Sequence, residues 1–126
     1  MAKIQISPSA ALECVYGTSA DELRARQAAG TATVAAGTSL IDVRDADDFA
    51  AWHLPGAVQA DYERQLELFK KIAQAPENAK KLVFVCYAGV RSGRVARAAA
   101  ERGFDAVSIL GGAYAWRALG LPTEQL

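Results

Sequence analysis

Apolar residues in this chain alternate between short unbroken runs and runs spaced at helical intervals. Residues 81–85, Lys-Leu-Val-Phe-Val, carry four consecutive apolar side chains, and a run this short and this rich in β-branched and aromatic residues suits a strand covered on both faces. Residues 39–44 and 105–109 read as two more short buried strands. The spacing changes elsewhere. Residues 92–102 predict a helix ended by Gly103, and residues 62–73 predict another through Leu66, Phe69 and Ile72, closed by Pro76-Glu77-Asn78. Ser19 and Glu22 form a capping-box pattern, so a helix starts there and Gly30 stops it. Asp45 and Asp48 open a brief helix through Trp52, Pro55-Gly56 forces a turn, and Gly111-Gly112 precedes a last helix holding Trp116.

Strands that alternate with helices predict an α/β fold, a parallel sheet covered on both faces. In such a sheet the functional crevice lies beyond the carboxyl ends of the strands, where Cys86 falls. Residues 30–38 are small and polar, as in a mobile surface connection. Two assignments stay open at the amino terminus. Either residues 13–16 form an edge strand extended by Ile4-Gln5-Ile6, or the roles are reversed.

At 126 residues, 52% hydrophobic and 22% charged, the chain is expected to form one soluble domain over residues 1–126. Fourteen basic side chains balance fourteen acidic ones, so no overall field recruits nucleic acid or an anionic membrane, and any anion binding must be local. The amino terminus lacks an apolar core of the secretory kind, and no segment approaches the roughly 20 apolar residues of a membrane span. A cytoplasmic protein with no nucleic-acid or membrane partner is expected. In a reduced cytosol Cys14 and Cys86 are free thiols rather than a disulfide. One histidine and two separated cysteines cannot assemble a zinc-type cluster, so no metal and no other cofactor is expected.

The chemistry concentrates in Cys86-Tyr87-Ala88-Gly89-Val90-Arg91-Ser92. This loop leaves the end of a strand and enters the start of a helix, where backbone N–H groups and the helix dipole favour an anion such as a thiolate. An inert buried cysteine is the competing reading. Such a cysteine needs neither Gly89 nor an arginine five positions on, and both suit a loop wrapped around an anion. Cys86 is therefore the candidate nucleophile. The N–H groups of Tyr87, Ala88, Gly89, Val90 and Ser92 are candidate donors to the substrate, and Arg91 offers a planar cation. His53 sits in a tight Pro-Gly segment and is read as structural. Asp42 and Arg44 are read as a buried or half-buried charge pair that fixes a strand end rather than as acid–base catalysts. Arg94, Arg97 and Arg102 form a solvated face, with Arg94 close enough to help attract anions. Trp116 is a core anchor. Cys14 is a packed thiol, or a resolving partner if it lies near Cys86.

Between about residues 39 and 122 the chain resembles the rhodanese family of sulfurtransferases. The segments that carry the resemblance are Leu40-Ile41-Asp42-Val43-Arg44 with Asp48-Phe49, His53-Leu54-Pro55-Gly56-Ala57, the Cys86 loop, Gly103-Phe104, Val107, Leu110-Gly111-Gly112, Trp116 and Gly120-Leu121-Pro122. Trp52 replaces the family's usual glycine, and Asp48 its commoner glutamate. The resemblance implies a five-stranded parallel sheet flanked by helices and a Cys86 persulfide that carries sulfur from thiosulfate to a thiol, cyanide or protein acceptor. The loop differs from the Cys-Gly-Ser-Gly-Val-Thr type of mercaptopyruvate enzymes, which favours thiosulfate as donor. A cysteine phosphatase or arsenate reductase is the alternative, as is a non-catalytic binding module. Phosphatases enclose their oxyanion with five residues between cysteine and arginine, whereas only four intervene here, a ring better sized for one sulfur atom.

Overall fold

The computed structural model describes residues 4–126, the side chain of Asn78 excepted. Its centre is β4 (Lys81–Val85), whose four apolar side chains are fully buried. On one side β4 pairs with β2 (Thr38–Asp42), Ile41 opposite Phe84, and on the other with β5 (Ala106–Ile109), Val83 opposite Val107. The edges are β1 (Gln5–Ile6), beside β5, and β3 (Val58–Gln59), beside β2. All five strands are parallel, in the order β1-β5-β4-β2-β3.

Side chains alternate across the strands, so each face of the sheet feeds its own core. Leu40, Val83, Val85 and Ile109 meet α1 (Pro8–Tyr16), α2 (Ala20–Ala28), α3 (Ala46–Ala51) and α6 (Gly112–Ala118) through Val15, Leu23, Phe49 and Trp116. Ile41, Leu82 and Phe84 meet α4 (Gln65–Ala73) and α5 (Val90–Glu101) through Phe69, Val95 and Ala99. Trp116 has no exposed surface and its indole N–H donates to the Pro122 carbonyl at 2.8 Å, so the core anchor is also hydrogen-bonded.

The amino terminus takes the second of the two assignments. Ser7 accepts the Ala10 N–H and Pro8 follows at the first helical position, so residues 13–16 fall inside α1 and the strand is Gln5–Ile6. Several boundaries differ from the sequence reading. The strand from residue 39 ends at Asp42, although the Val43 N–H still donates to the Val85 carbonyl. Residues 62–64 form a 3₁₀ turn before α4. Helix α5 starts at Val90, because Gly89 in the left-handed region, φ 95°, turns the chain abruptly enough for Val90, Arg91 and Ser92 to make its first turn. The cysteines are both free, and they pack against cores on opposite faces of the sheet, Cys14 with α1 and Cys86 with α5.

Candidate active site

Strand β4 delivers Cys86 to the carboxyl edge of the sheet with only 4% of its surface exposed. Three residues later the chain turns into α5, and this tight return aims donors at the sulfur. The Gly89 N–H donates to Cys86 Sγ at 3.2 Å and the Ser92 N–H at 3.3 Å, while the Ser92 hydroxyl lies 3.2 Å from it. Ser92 Oγ is in turn 2.7 Å from the Ser108 hydroxyl on β5, and neither serine has exposed surface.

What holds the loop this way is the next strand–helix junction. The Ala113 N–H donates to the Cys86 carbonyl at 2.8 Å and the Tyr114 N–H to the Tyr87 carbonyl at 3.0 Å. With its carbonyls engaged by α6, the loop turns N–H groups toward the sulfur. Gly112 makes the approach possible, since a Cβ there would lie 2.4 Å from the Tyr87 carbonyl oxygen and 2.5 Å from that of Cys86. Strand β1 contributes as well, the Gln5 side-chain amide donating to the Gly89 carbonyl at 3.5 Å.

Above the sulfur opens a pocket of about 370 Å³. Cys86, Tyr87, Ala88, Val90 and Arg91 line it, as expected of the loop, whereas Gly89 and Ser92 sit beneath and hold the sulfur. Arg91 is exposed, its guanidinium 5.2 Å from the centre of the Tyr62 ring. The opposite wall is Arg44, Asp45 and Asp48, which the sequence reading did not place there. Arg44 is buried with Asp42, donating to its carboxylate from Nε at 3.0 Å and Nη2 at 2.8 Å, and from Nη2 to the Trp52 carbonyl at 2.6 Å. The guanidinium also lies against the rings of Trp52 and Tyr87, at 4.8 Å and 5.2 Å. Asp48 accepts the Tyr87 hydroxyl. That hydrogen bond, with burial and the carboxylate's charge, pushes the Tyr87 phenol up to about 12. Tyr87 also packs on Tyr114, ring centres 5.0 Å apart.

His53 lies apart from the sulfur. Its Nδ1 is 2.7 Å from the Phe49 carbonyl, its Nε2 is 3.3 Å from Glu124, and its ring stacks on Phe49 at 3.9 Å, so it ties α3 to the carboxyl-terminal segment. Among the described residues no cluster of His, Cys, Asp or Glu is placed to hold a metal ion, and no helix is long and apolar enough to cross a membrane. The sequence did carry one unread signal of the site's depth. Ser108 interrupts an otherwise apolar buried strand, and a hydroxyl there needs a partner.

Comparison with known proteins gives this geometry a context. The family pattern described as the rhodanese-like domain matches residues 19–119. A thiosulfate sulfurtransferase, GlpE, of Shewanella oneidensis is 38% identical over 85 residues, covering 67% of this chain and 80% of that protein. A tRNA sulfurtransferase of Pyrobaculum aerophilum is 37% identical over 73 residues, 58% of this chain and 14% of that much longer protein. The thiosulfate:glutathione sulfurtransferase of Saccharomyces cerevisiae is 29% identical over 82 residues, covering 58% of this chain and 59% of its own length. In fold, the rhodanese-like domain of an Anabaena protein superposes with a TM-score of 0.63 at 22% identity, covering 99% of this chain and 81% of that one.

Proposed function

Because the chain belongs to the rhodanese-like domain family, we propose that it is a thiosulfate sulfurtransferase that carries sulfur as a persulfide on Cys86. The observation that carries this reading is the ring of donors, two N–H groups and one hydroxyl, converging on a single sulfur atom at the floor of a pocket. Such preorganised donors stabilise negative charge without reorganising during the reaction. In the first step the Cys86 thiolate attacks the outer sulfur of thiosulfate, the S–S bond of the donor breaks, and sulfite leaves with the bonding pair. In the second a thiol, cyanide or protein acceptor attacks the outer sulfur of the persulfide, and the pair returns to Cys86. No external oxidant or general base is needed.

The donor carries two negative charges into a pocket whose lining sets the cations Arg44, itself paired with Asp42, and Arg91 beside the carboxylates Asp45 and Asp48. These cations suit its sulfonate-like oxygens, while the loop N–H groups, with that of Ser92, serve the transferred sulfur. The free thiols fit a reducing cytoplasm as the site of action. The test is a donor and acceptor panel on the purified chain, read by sulfite release, with mass spectrometry of the Cys86 peptide after thiosulfate treatment. One added, reductant-labile sulfur on that peptide is expected. Hydrolysis of aryl phosphates faster than thiosulfate is consumed would replace this reading with the phosphatase one.

A further inference from the structure

Ser108 stands outside the pocket, fully buried on β5, on the sheet face whose nearest strand neighbour, Ala106, belongs to the apolar core around Phe84 and Cys86. Its hydroxyl reaches Ser92 Oγ at 2.7 Å, and Ser92 Oγ reaches Cys86 Sγ at 3.2 Å. Each serine has one proton to donate. When Cys86 is a thiolate it can only accept, so Ser92 donates to sulfur and the 2.7 Å contact is made by the proton of Ser108. Every proton in the chain then has an acceptor. With a neutral thiol donating to Ser92, the chain runs the other way and Ser108 is left holding a buried proton that has no other hydrogen-bond acceptor among the described residues. An unsatisfied buried donor is costly, and a neutral thiol that instead turns its S–H away accepts a weaker bond from Ser92 than a thiolate does, so the pair of hydroxyls biases the sulfur toward the anion.

We propose that Ser108 is a positioning residue, acting through Ser92, that stabilises Cys86 as a leaving group and so favours discharge of the persulfide over its formation. This rests on the persulfide cycle proposed above. In discharge by cyanide, a carbon–sulfur bond forms to the outer sulfur, the S–S bond breaks, thiocyanate leaves, and the electron pair returns to Cys86 Sγ as thiolate. A more stabilised thiolate leaves faster. In charging, the same stabilisation makes the attacking thiolate more abundant at low pH but intrinsically less nucleophilic, so the two half-reactions respond differently to its loss.

The experiment measures the half-reactions separately in a Cys14→Ser background, together with the pH profile of alkylation of the single remaining thiol by iodoacetamide. Ser108→Ala is expected to slow discharge by cyanide by about threefold to tenfold, to leave charging by thiosulfate at high pH unchanged or faster, and to move the alkylation profile toward higher pH. Ser108→Thr and Ser108→Val are nearly equal in shape and differ in the hydroxyl. Thr should behave as the parent and Val as Ala, and this pair decides the matter if Ser108→Ala does not fold. An unmoved alkylation profile, or equal slowing of both half-reactions, overturns the proposal. Alkylation needs no sulfur donor, so a parent protein that refuses thiosulfate would defeat the proposed function while the profile still judged Ser108.

Discussion

Arg44 grips the Asp42 carboxylate through Nε and Nη2, while its Nη1, equally buried, has no hydrogen-bond partner among the described residues. The pair joins the end of β2 to the wall of the pocket, so one guanidinium serves both the sheet and the site. Removing one member of such a pair strands the other's charge. Arg44→Ala is expected to lose about 3–5 kcal/mol of stability in urea denaturation, and replacing both residues by neutral ones of similar size should restore much of it. A loss under about 1 kcal/mol for Arg44→Ala would show that water reaches Asp42 freely.

The two cysteines should differ completely in consequence. Cys86→Ser is expected to abolish sulfite release from thiosulfate. Cys14→Ser should stay near the parent rate, because Cys14 packs on the opposite face of the sheet and no donor loop follows it. Loss of turnover in a folded Cys14→Ser protein would point to a disulfide-resolved cycle instead.

Arg91 is expected to recognise the donor. Its exposure weakens a charge-assisted contact, so Arg91→Ala should lower kcat/KM for thiosulfate by about tenfold, the low end of what such contacts contribute. Arg91→Lys should recover part of the loss, since the charge remains and the planar fork does not. Parent-like kinetics in both variants would leave Arg91 as a cover for Tyr62.

Tyr87 gives a pH signature. Its phenol is raised from 10.0 to about 12, chiefly by the hydrogen bond to Asp48, so the folded state favours the neutral form. The resulting stability is fully present below pH 10.0 and is lost as pH rises through about 12. Absorbance titration of tyrosinate should show a component near pH 12 that disappears in Tyr87→Phe and shifts to lower pH in Asp48→Asn, distinct from Tyr16, whose phenol is pushed higher still by burial. A titration unchanged by Asp48→Asn would refute that pairing.

The legible parts of this protein were those where one segment carries the whole signal. The apolar run of β4 needs no partner to be read as a buried strand, and the order of a cysteine, a glycine and an arginine in Cys86 through Ser92 marked a tight loop at its end. Strand β3 left no trace, because two residues, one of them an exposed Val58, carry no periodicity. The acidic wall of the pocket was hidden for another reason. Asp45 and Asp48 read as helix-opening residues, and only the placement of α3 beside the Cys86 loop brings them to the sulfur's pocket. The role of Gly112 was illegible in the same way, since it lies in a contact with carbonyls distant in sequence, whereas Ser108 showed only as a lone hydroxyl in an apolar strand, with nothing local to name its partner.

The junction at Gly112 means that the cradle is cast against an empty position. A side chain there, at φ 63° and against two carbonyl oxygens, forces the Cys86 loop and α6 apart, and the donors on the sulfur are expected to move with the loop while both apolar cores stay filled. On the proposed function, such a substitution is expected to silence the protein without touching Cys86 or melting its sheet. A screen for folded but unreactive variants should return substitutions of this hydrogen-for-side-chain position as readily as those of the cysteine, and soluble Gly112→Ala protein that alkylates like the parent would show the loop to be more compliant than its mould.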